Sequence, residues 1–396
     1  MAVYGIICEF NPFHRGHEYI IESARRDGAD CVVCVMSGNA VQRGELAVAD
    51  RYIRAEAAVR CGADLVLELP FPWCASAAES FAAAGVRILS EFVDILYFGS
   101  ECGDVRLLEK CADAALTALE RGEYAEKLRA GARSAEAYFS VFEEKCGINP
   151  GSNDILGIEY IKAIKKQGAQ IKPVTLRRMG ADYRDENTDD TTKFQSAAAI
   201  RKIMSEGRTK EAFECMPYSA SEIFERAVRN GELCLSGFPS KETIAFYRLH
   251  DTAYFEKIAC CRGGLANRIC ESALASSDFA EMFEKIRTKR YTDAKLRRAI
   301  LFGMTGVEDS DILSFPSYTV LLAANERGRK LLSCKRAGAG IKIVTKQADA
   351  VCYNDTASVR QRALGSRLDA LFTLACETPR PSDVVGKKSP YIDSGK

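Results

Sequence analysis

Five short apolar runs in the first half of the chain, at residues 3–8, 31–36, 64–69, 94–98 and 171–174, alternate with stretches of helical periodicity. The helical stretches fall around 17–27, 50–61 and 76–91, and a longer helical insertion spans about 104–167. Strands that alternate with helices predict an α/β fold, a Rossmann-like parallel sheet wound on both faces with right-handed crossovers. Ligands of such sheets bind outside the carboxyl ends of the strands. The exits here carry Glu9 and Asn11, then Ser37-Gly38-Asn39, then Glu68 and Pro70, then Gly99-Ser100-Glu101, then Arg177-Arg178. Five polar exits in register are read as one pocket, in which Gly99 brings backbone against adenine or ribose and Ser100 and Glu101 reach ribose hydroxyls.

The first exit is the most unusual. Glu9-Phe10-Asn11-Pro12-Phe13-His14-Arg15-Gly16-His17 joins the first strand to a helix over 18–26 whose inner side is expected at Tyr19, Ile20 and Ala24. The first N–H groups of a helix lack intrahelical partners and sit at the positive end of its dipole, so a phosphate finds donors there. The chain has only three histidines, His14, His17 and His250, and two of them occupy this single turn. Paired imidazoles there can follow charge that develops on a phosphorus atom during substitution.

At 396 residues the chain is long for one core, since single cores rarely grow past about 250 residues, and two or more domains are expected. A net charge of +1 excludes a global electrostatic signature of nucleic-acid binding, so any basic surface is local. Sixteen cysteines lie inside apolar segments such as Cys31-Val-Val-Cys34, whose thiols alternate across a strand; they read as small buried hydrophobes in a reducing compartment, with no metal site. No apolar run reaches the length of a membrane span, and a cytoplasmic protein is expected.

From about residue 206 strand signals vanish, and helical periodicity runs through 211–215, 219–230, 241–262, 266–288 and 293–303. Residues 1–205 therefore read as the catalytic domain and 206–377 as a mainly α-helical domain that binds RNA. Within the latter, residues 285–298 hold seven basic residues against one acid. Arg287, Lys289, Arg290, Lys295, Arg297 and Arg298, with Tyr291 for stacking, suit an RNA backbone. Further on, 318–332 reads as helical, 341–344 as a short strand, 357–376 as a helix and 378–396 as a flexible tail. The polar, acidic stretch 177–194, with Asp182, Asp185, Glu186, Asp189 and Asp190, reads as a loop or lid.

The turn His14-Arg-Gly-His17 after a first strand resembles the nucleotidyltransferase superfamily of class I aminoacyl-tRNA synthetases and small adenylyltransferases. The longer string from Gly5 to His17, together with Met36-Ser-Gly-Asn-Ala-Val-Gln-Arg-Gly-Glu45, resembles a narrower group, the bacterial tRNA(Met) cytidine acetate ligases. The likeness runs through most of the chain and weakens toward its C-terminus. It implies ATP, with Mg²⁺, as the activating substrate, acetate as the nucleophile and elongator tRNA(Met) as the partner. Acetate attacks the α-phosphorus to give acetyl-adenylate and pyrophosphate, and the acetyl group then passes to N4 of the wobble cytidine.

The resemblance assigns ATP binding to the stretch Ile7, Cys8, Glu9, Phe10, Asn11, Pro12, Phe13, His14, Arg15, Gly16, His17, Glu18, Tyr19 and Ile20, and to Gly99, Asn153 and Arg178. Asn153 opens a helix, where a capping role competes with a binding one. Related adenylyltransferases grip the outer phosphates with a Ser/Thr-rich turn that ends in Ile-Arg. This chain keeps Ser196, Ile200 and Arg201 but has alanine at 197 and 198. His14, His17 and Arg201 are thus the expected catalytic residues, Glu9 or Glu68 the base for acetyl transfer, and the loop 37–43 the acetate pocket. Two rivals remain, a small-molecule adenylyltransferase and a non-catalytic tRNA-binding protein.

Overall fold

The computed structural model describes residues 1–130, 134–178, 195–335 and 340–394. Most of the acidic stretch expected as a lid, 179–194, lies outside them. The first half of the chain provides β1 (Val3–Cys8), β2 (Cys31–Ser37), a small hairpin of β3 (Ala40–Val41) and β4 (Glu45–Leu46), β5 (Leu65–Leu69), β6 (Ile95–Ser100) and β7 (Lys172–Arg177). Its helices are α1 (Arg15–Arg26), α2 (Arg51–Arg60), α3 (Ala78–Leu89), four helices of the insertion, α4 (Val105–Glu120), α5 (Glu123–Arg129), α6 (Ser134–Cys146) and α7 (Ser152–Gln167), and then α8 (Ala197–Ser205). β1, β2 and β5 are buried along their whole length, so their sequences read as near-continuous apolar runs, interrupted by Glu68 in β5 and ending in Ser37 in β2, rather than as alternation.

The five long strands are parallel neighbours in the order β5-β2-β1-β6-β7. The order reverses between β1 and β6, which opens a crevice beyond their carboxyl ends. Gly85 lets α3 close onto β1, since a Cβ there would lie 2.7 Å from the Ile7 side chain. On α1 the inner side is Ile21, Ser23 and Ala24, while Tyr19 and Ile20 are only partly buried. Ala24 is buried as expected, and the helix starts at Arg15, three residues early, under a His14 cap.

The later chain departs more. Residues expected as the start of a helix form β8 (Tyr318–Ala324), which pairs antiparallel with β5, and a helix begins only at Glu326–Lys335. Every residue of β8 is buried, so its pattern carried no strand-like alternation to distinguish it from a buried helix. β9 (Lys342–Val344) and β10 (Tyr391–Ile392) both pair parallel with β8. The tail expected to be flexible is therefore seated, with the Arg60 guanidinium 5.4 Å from the Tyr391 ring centre and Lys388 paired with the buried Asp50.

Two of the long helical stretches are broken. The expected 241–262 becomes Ser240–Leu249 and Thr252–Phe255, and 266–288 becomes Leu265–Leu274 and Phe279–Ile286. Asp278 restarts the last of these by accepting the Glu281 N–H at 2.9 Å. The helices Asp293–Thr305 and Thr356–Ala375 match their expected positions.

Candidate active site

His14 is the N-cap of α1, and its ring Nδ1 accepts the Gly16 N–H at 3.0 Å. His17 Nδ1 accepts the His14 N–H at 3.3 Å, so each imidazole satisfies one backbone donor of the turn. With both Nδ1 atoms accepting, the ring proton of each neutral histidine sits on Nε2. Burial holds His14 down at about 4, helped by Arg178, and burial with His14 and Arg178 holds His17 well below its ordinary value. At neutral pH the pair is two neutral Nε2–H donors. Their rings stack at 3.8 Å between centroids, and His17 packs edge-on against Phe10 at 4.8 Å. Gly16 serves the cap directly: a Cβ there would stand 2.8 Å from the His14 ring.

A cavity of about 560 Å³ opens beside this turn at the crevice between β1 and β6. Ile7, Cys8, Glu9, Phe10, His17, Ile20, Gly99, Asn153 and Arg178 line it, which gathers much of the expected ATP set into one space. Other members of that set support the turn from behind. Phe13 is fully buried, Asn11 Oδ1 accepts the Val48 N–H at 2.7 Å, and the exposed Arg15 donates to Glu214 O. Pro12 and His14 are buried, and Gly16, Glu18 and Tyr19 continue the turn into α1.

Two ribose contacts expected from the β6 exit are otherwise engaged. Ser100 Oγ is buried against Thr175 Oγ1 at 2.7 Å. Glu101 caps α7, accepting the Asn153 and Asp154 N–H groups at 3.0 and 2.8 Å and the Asn153 side-chain amide at 2.7 Å. The strand exit is polar there because it must satisfy a helix terminus.

Among the residues that line the cavity Glu9 is the sole carboxylate, against the cations Arg43, Arg178 and Arg298. Glu9 Oε1 accepts the Gln42 N–H at 2.8 Å. Burial pushes its carboxyl up, against the pull of that N–H and of Arg201, Arg54 and Arg43. Glu68 stands elsewhere, 3.6 Å from Arg51 Nε and behind Gly38. Of the expected acetate loop, Gln42 and Arg43 reach the cavity, while Asn39 is buried against Asp369 at 2.8 Å.

Arg201 does not line this cavity. It donates to Asn11 O at 2.7 Å and faces Glu45 at 3.4 Å, in a neighbouring space of about 340 Å³ that also contains Arg297. Arg297 pairs with the same Glu45 at 3.1 Å. Arg298, on the same helix, lines the main cavity together with Ala294. The remaining basic residues of this segment are outside: Arg290 and Lys295 flank Tyr291 at 5.3 and 4.7 Å, Lys289 is exposed, and Arg287 pairs with Glu284 and Asp293.

Two arginines escaped the sequence reading. Arg54 is fully buried, and its guanidinium donates to the carbonyls of Glu9, Ser37, Gly38 and Ala49, which ties the exits of β1 and β2 together. Arg51, one turn earlier, pairs with Asp369 at 2.7 Å. Their signal was present, as two arginines three apart in the first half of a helix that starts just after a strand exit.

A paired Nε2–H donor turn at the switch point of a parallel sheet defines a nucleotidyltransferase, and residues 1–378 match the family model described as HIGH Nucleotidyl Transferase. Within that class the chain belongs to the tRNA(Met) cytidine acetate ligase family. It is 34% identical to the tRNA(Met) cytidine acetate ligase of Acetivibrio thermocellus, over 96% of each chain. It is 35% identical to that of Thermotoga maritima, over 86% of each. The crystal structure of Thermotoga maritima TmcAL bound with alpha-thio ATP superposes with a TM-score of 0.87 at 30% identity, covering 99% of both chains. The apo form of that protein superposes at 0.89.

Proposed function

We propose that this protein activates acetate with ATP and transfers the acetyl group to N4 of the wobble cytidine of elongator tRNA(Met), forming N4-acetylcytidine. The observation that carries the reading is the pair of imidazoles fixed as Nε2–H donors beside the cavity, in a chain similar over 96% of its length to an acetate ligase. In the first step acetate attacks the α-phosphorus of ATP, acetyl-adenylate forms and pyrophosphate leaves. His14 and His17 donate to α-phosphate oxygens as negative charge grows, and the helix N-terminus adds its dipole. Arg178, which faces both histidines, adds a positive charge to the same end of the cavity.

Adenine and ribose take the wall formed by Gly99, Asn153, Ile155, Leu156 and Tyr160. Mg²⁺ arrives as part of the ATP complex: among the described residues no three His, Cys, Asp or Glu side chains cluster to hold an ion, and the cavity is lined by one carboxylate and three arginines. RNA follows the exposed cations around Tyr291. Among the described residues no helix is long and apolar enough to cross a membrane, which accords with work in the cytoplasm on tRNA.

The test is pyrophosphate release from ATP and acetate, with and without tRNA. Both acetate and tRNA are expected to be needed for sustained release, and His17→Ala to lower the rate at least about 10²-fold. The RNA product should contain N4-acetylcytidine. Release that ignores acetate and responds to a phosphorylated metabolite would instead assign a small-molecule adenylyltransferase.

A further inference from the structure

We propose that Glu9 is the general base of acetyl transfer, accepting the proton that the cytidine amine sheds as it attacks acetyl-adenylate. This rests on the acetate ligase reading above and names a residue for its second step. In that step the amine nitrogen bonds to the acetyl carbonyl carbon, and the bond from that carbon to the phosphate oxygen breaks. AMP leaves with the electron pair, and the amine proton passes to the Glu9 carboxylate.

Elimination within the cavity leads to this residue. The titratable side chains that line it are Cys8, Glu9, His17, Tyr160 and the arginines 43, 178 and 298. Guanidinium groups carry no free lone pair to accept a proton. His17 has none to spare either, because Nδ1 already accepts a backbone N–H and Nε2 holds the ring proton. His14 is fixed in the same way. Burial pushes the Cys8 thiol and the Tyr160 phenol far up, so both stay protonated at neutral pH. A carboxylate is what remains, and Glu68, the other candidate, is held by Arg51 away from the cavity.

Position supports the same residue. One Glu9 oxygen is held by the Gln42 N–H, which fixes the carboxylate to the loop between β3 and β4. That loop docks on the helix Asp293–Thr305, where a Cβ at Gly44 would lie 2.5 Å from the Arg298 N. Ala294 and Arg298 from this helix complete the cavity wall. The Gln42 bond thus ties Glu9 to the loop that meets the basic segment. Charges around Glu9 come from Arg43, Arg54 and Arg201, which favour the ionised form, while burial favours the neutral one. Burial prevails, so the Glu9 carboxyl lies above its ordinary value and its carboxylate is a stronger base than one in water.

The experiment separates the two half-reactions. Acetate-dependent ATP–pyrophosphate exchange without RNA reads activation, and single-turnover acetylation of tRNA reads transfer. Glu9→Gln is expected to lower transfer about 10²-fold further than it lowers exchange, and to remove the acid limb of the transfer pH profile. Glu9→Asp should restore that limb, and formate added to Glu9→Ala should recover part of the rate. Glu68→Gln should leave the ratio of transfer to exchange at the wild-type value. Exchange by each variant also reports that it is folded. If Glu9→Gln loses exchange and transfer equally, or keeps both, Glu9 is not the base. A wild-type protein that never acetylates RNA overturns the acetate ligase reading, and this inference with it.

Discussion

At the residue scale the active turn is a capping problem solved with imidazoles. His14 takes the place that Ser, Thr, Asp or Asn usually holds at a helix start, and the cap requires a neutral ring. Its pKa falls from 6.5 to about 4 on folding, chiefly through burial. Between those values the unfolded chain binds more protons than the folded one. The contribution is therefore whole above pH 6.5 and is lost as the pH falls toward 4, by about 3 kcal/mol in all. Denaturation midpoints at pH 7 and pH 4.5 should differ accordingly. His14→Asn keeps a cap acceptor but does not titrate, so its midpoint should fall less; an equal fall would rule out His14 as a source of the acid sensitivity. Gly16→Ala, with its Cβ driven into the His14 ring, should lower pyrophosphate exchange about 10²-fold. The motif was legible in the sequence because two of three histidines share one turn. The Gly16 contact was not, since a glycine beside a phosphate-binding turn reads as room for the ligand rather than for its own neighbour's ring. Ser100 and Glu101 were misread for a related reason: a polar strand exit has the same composition whether it serves a ligand or a helix cap.

At the element scale, the helix Asp293–Thr305 carries two kinds of cation. The charge run 285–298 marked the segment but gave no direction to any one side chain. Helical spacing does give one: Arg298 follows Ala294 by four residues and precedes the fully buried Phe302 by four, so it shares their inward stripe. Lys289, Arg290 and Lys295 stay outside. Arg298 is mostly enclosed, burial lowers its pKa, and it has no carboxylate partner among the described residues. Arg298→Met keeps much of the packing and removes the charge. It should lower acetate-dependent exchange about tenfold in the absence of RNA, as the loss of one cation from an enclosed site predicts. Lys289→Ala should leave exchange alone, weaken tRNA binding, and reduce the slope of log affinity against log salt by about one unit. Binding titrations at several salt concentrations check both. If Arg298→Met changes only RNA affinity, Arg298 belongs with the surface set that its charge run suggested.

At the scale of the whole molecule, strand signals that vanish near residue 206 predict a separate helical unit, yet β8 returns to the sheet beside β5 and brings β9 and β10 with it. The return was hidden because a strand buried on both faces looks like any apolar run, and a short tail with proline, glycine and lysine looks unstructured until its edge partner exists. Arg51 binds this late chain to the early strand exits. Its guanidinium takes both Asp369 oxygens, at 2.7 and 3.0 Å, and its backbone N–H donates to Asn39, whose amide also holds Asp369. One apolar cluster runs from Val3 through the C-terminal helix to Val385. We therefore propose that the chain folds as one cooperative unit rather than at a boundary near 206. Asp369→Ala removes the carboxylate that takes two hydrogen bonds from the fully buried Arg51 guanidinium, a loss that in buried pairs costs roughly 3–5 kcal/mol. Chemical denaturation followed by Trp73 fluorescence and by far-UV circular dichroism should give coincident single transitions for the wild type, both displaced together in the variant. Trp73 is the chain's one tryptophan and sits in the catalytic half, hydrogen-bonded to Ser314 of the late chain at 2.7 Å. If Asp369→Ala instead splits the curves, with the helical signal melting first while Trp73 stays native, the two halves are separate units and Arg51 only joins them.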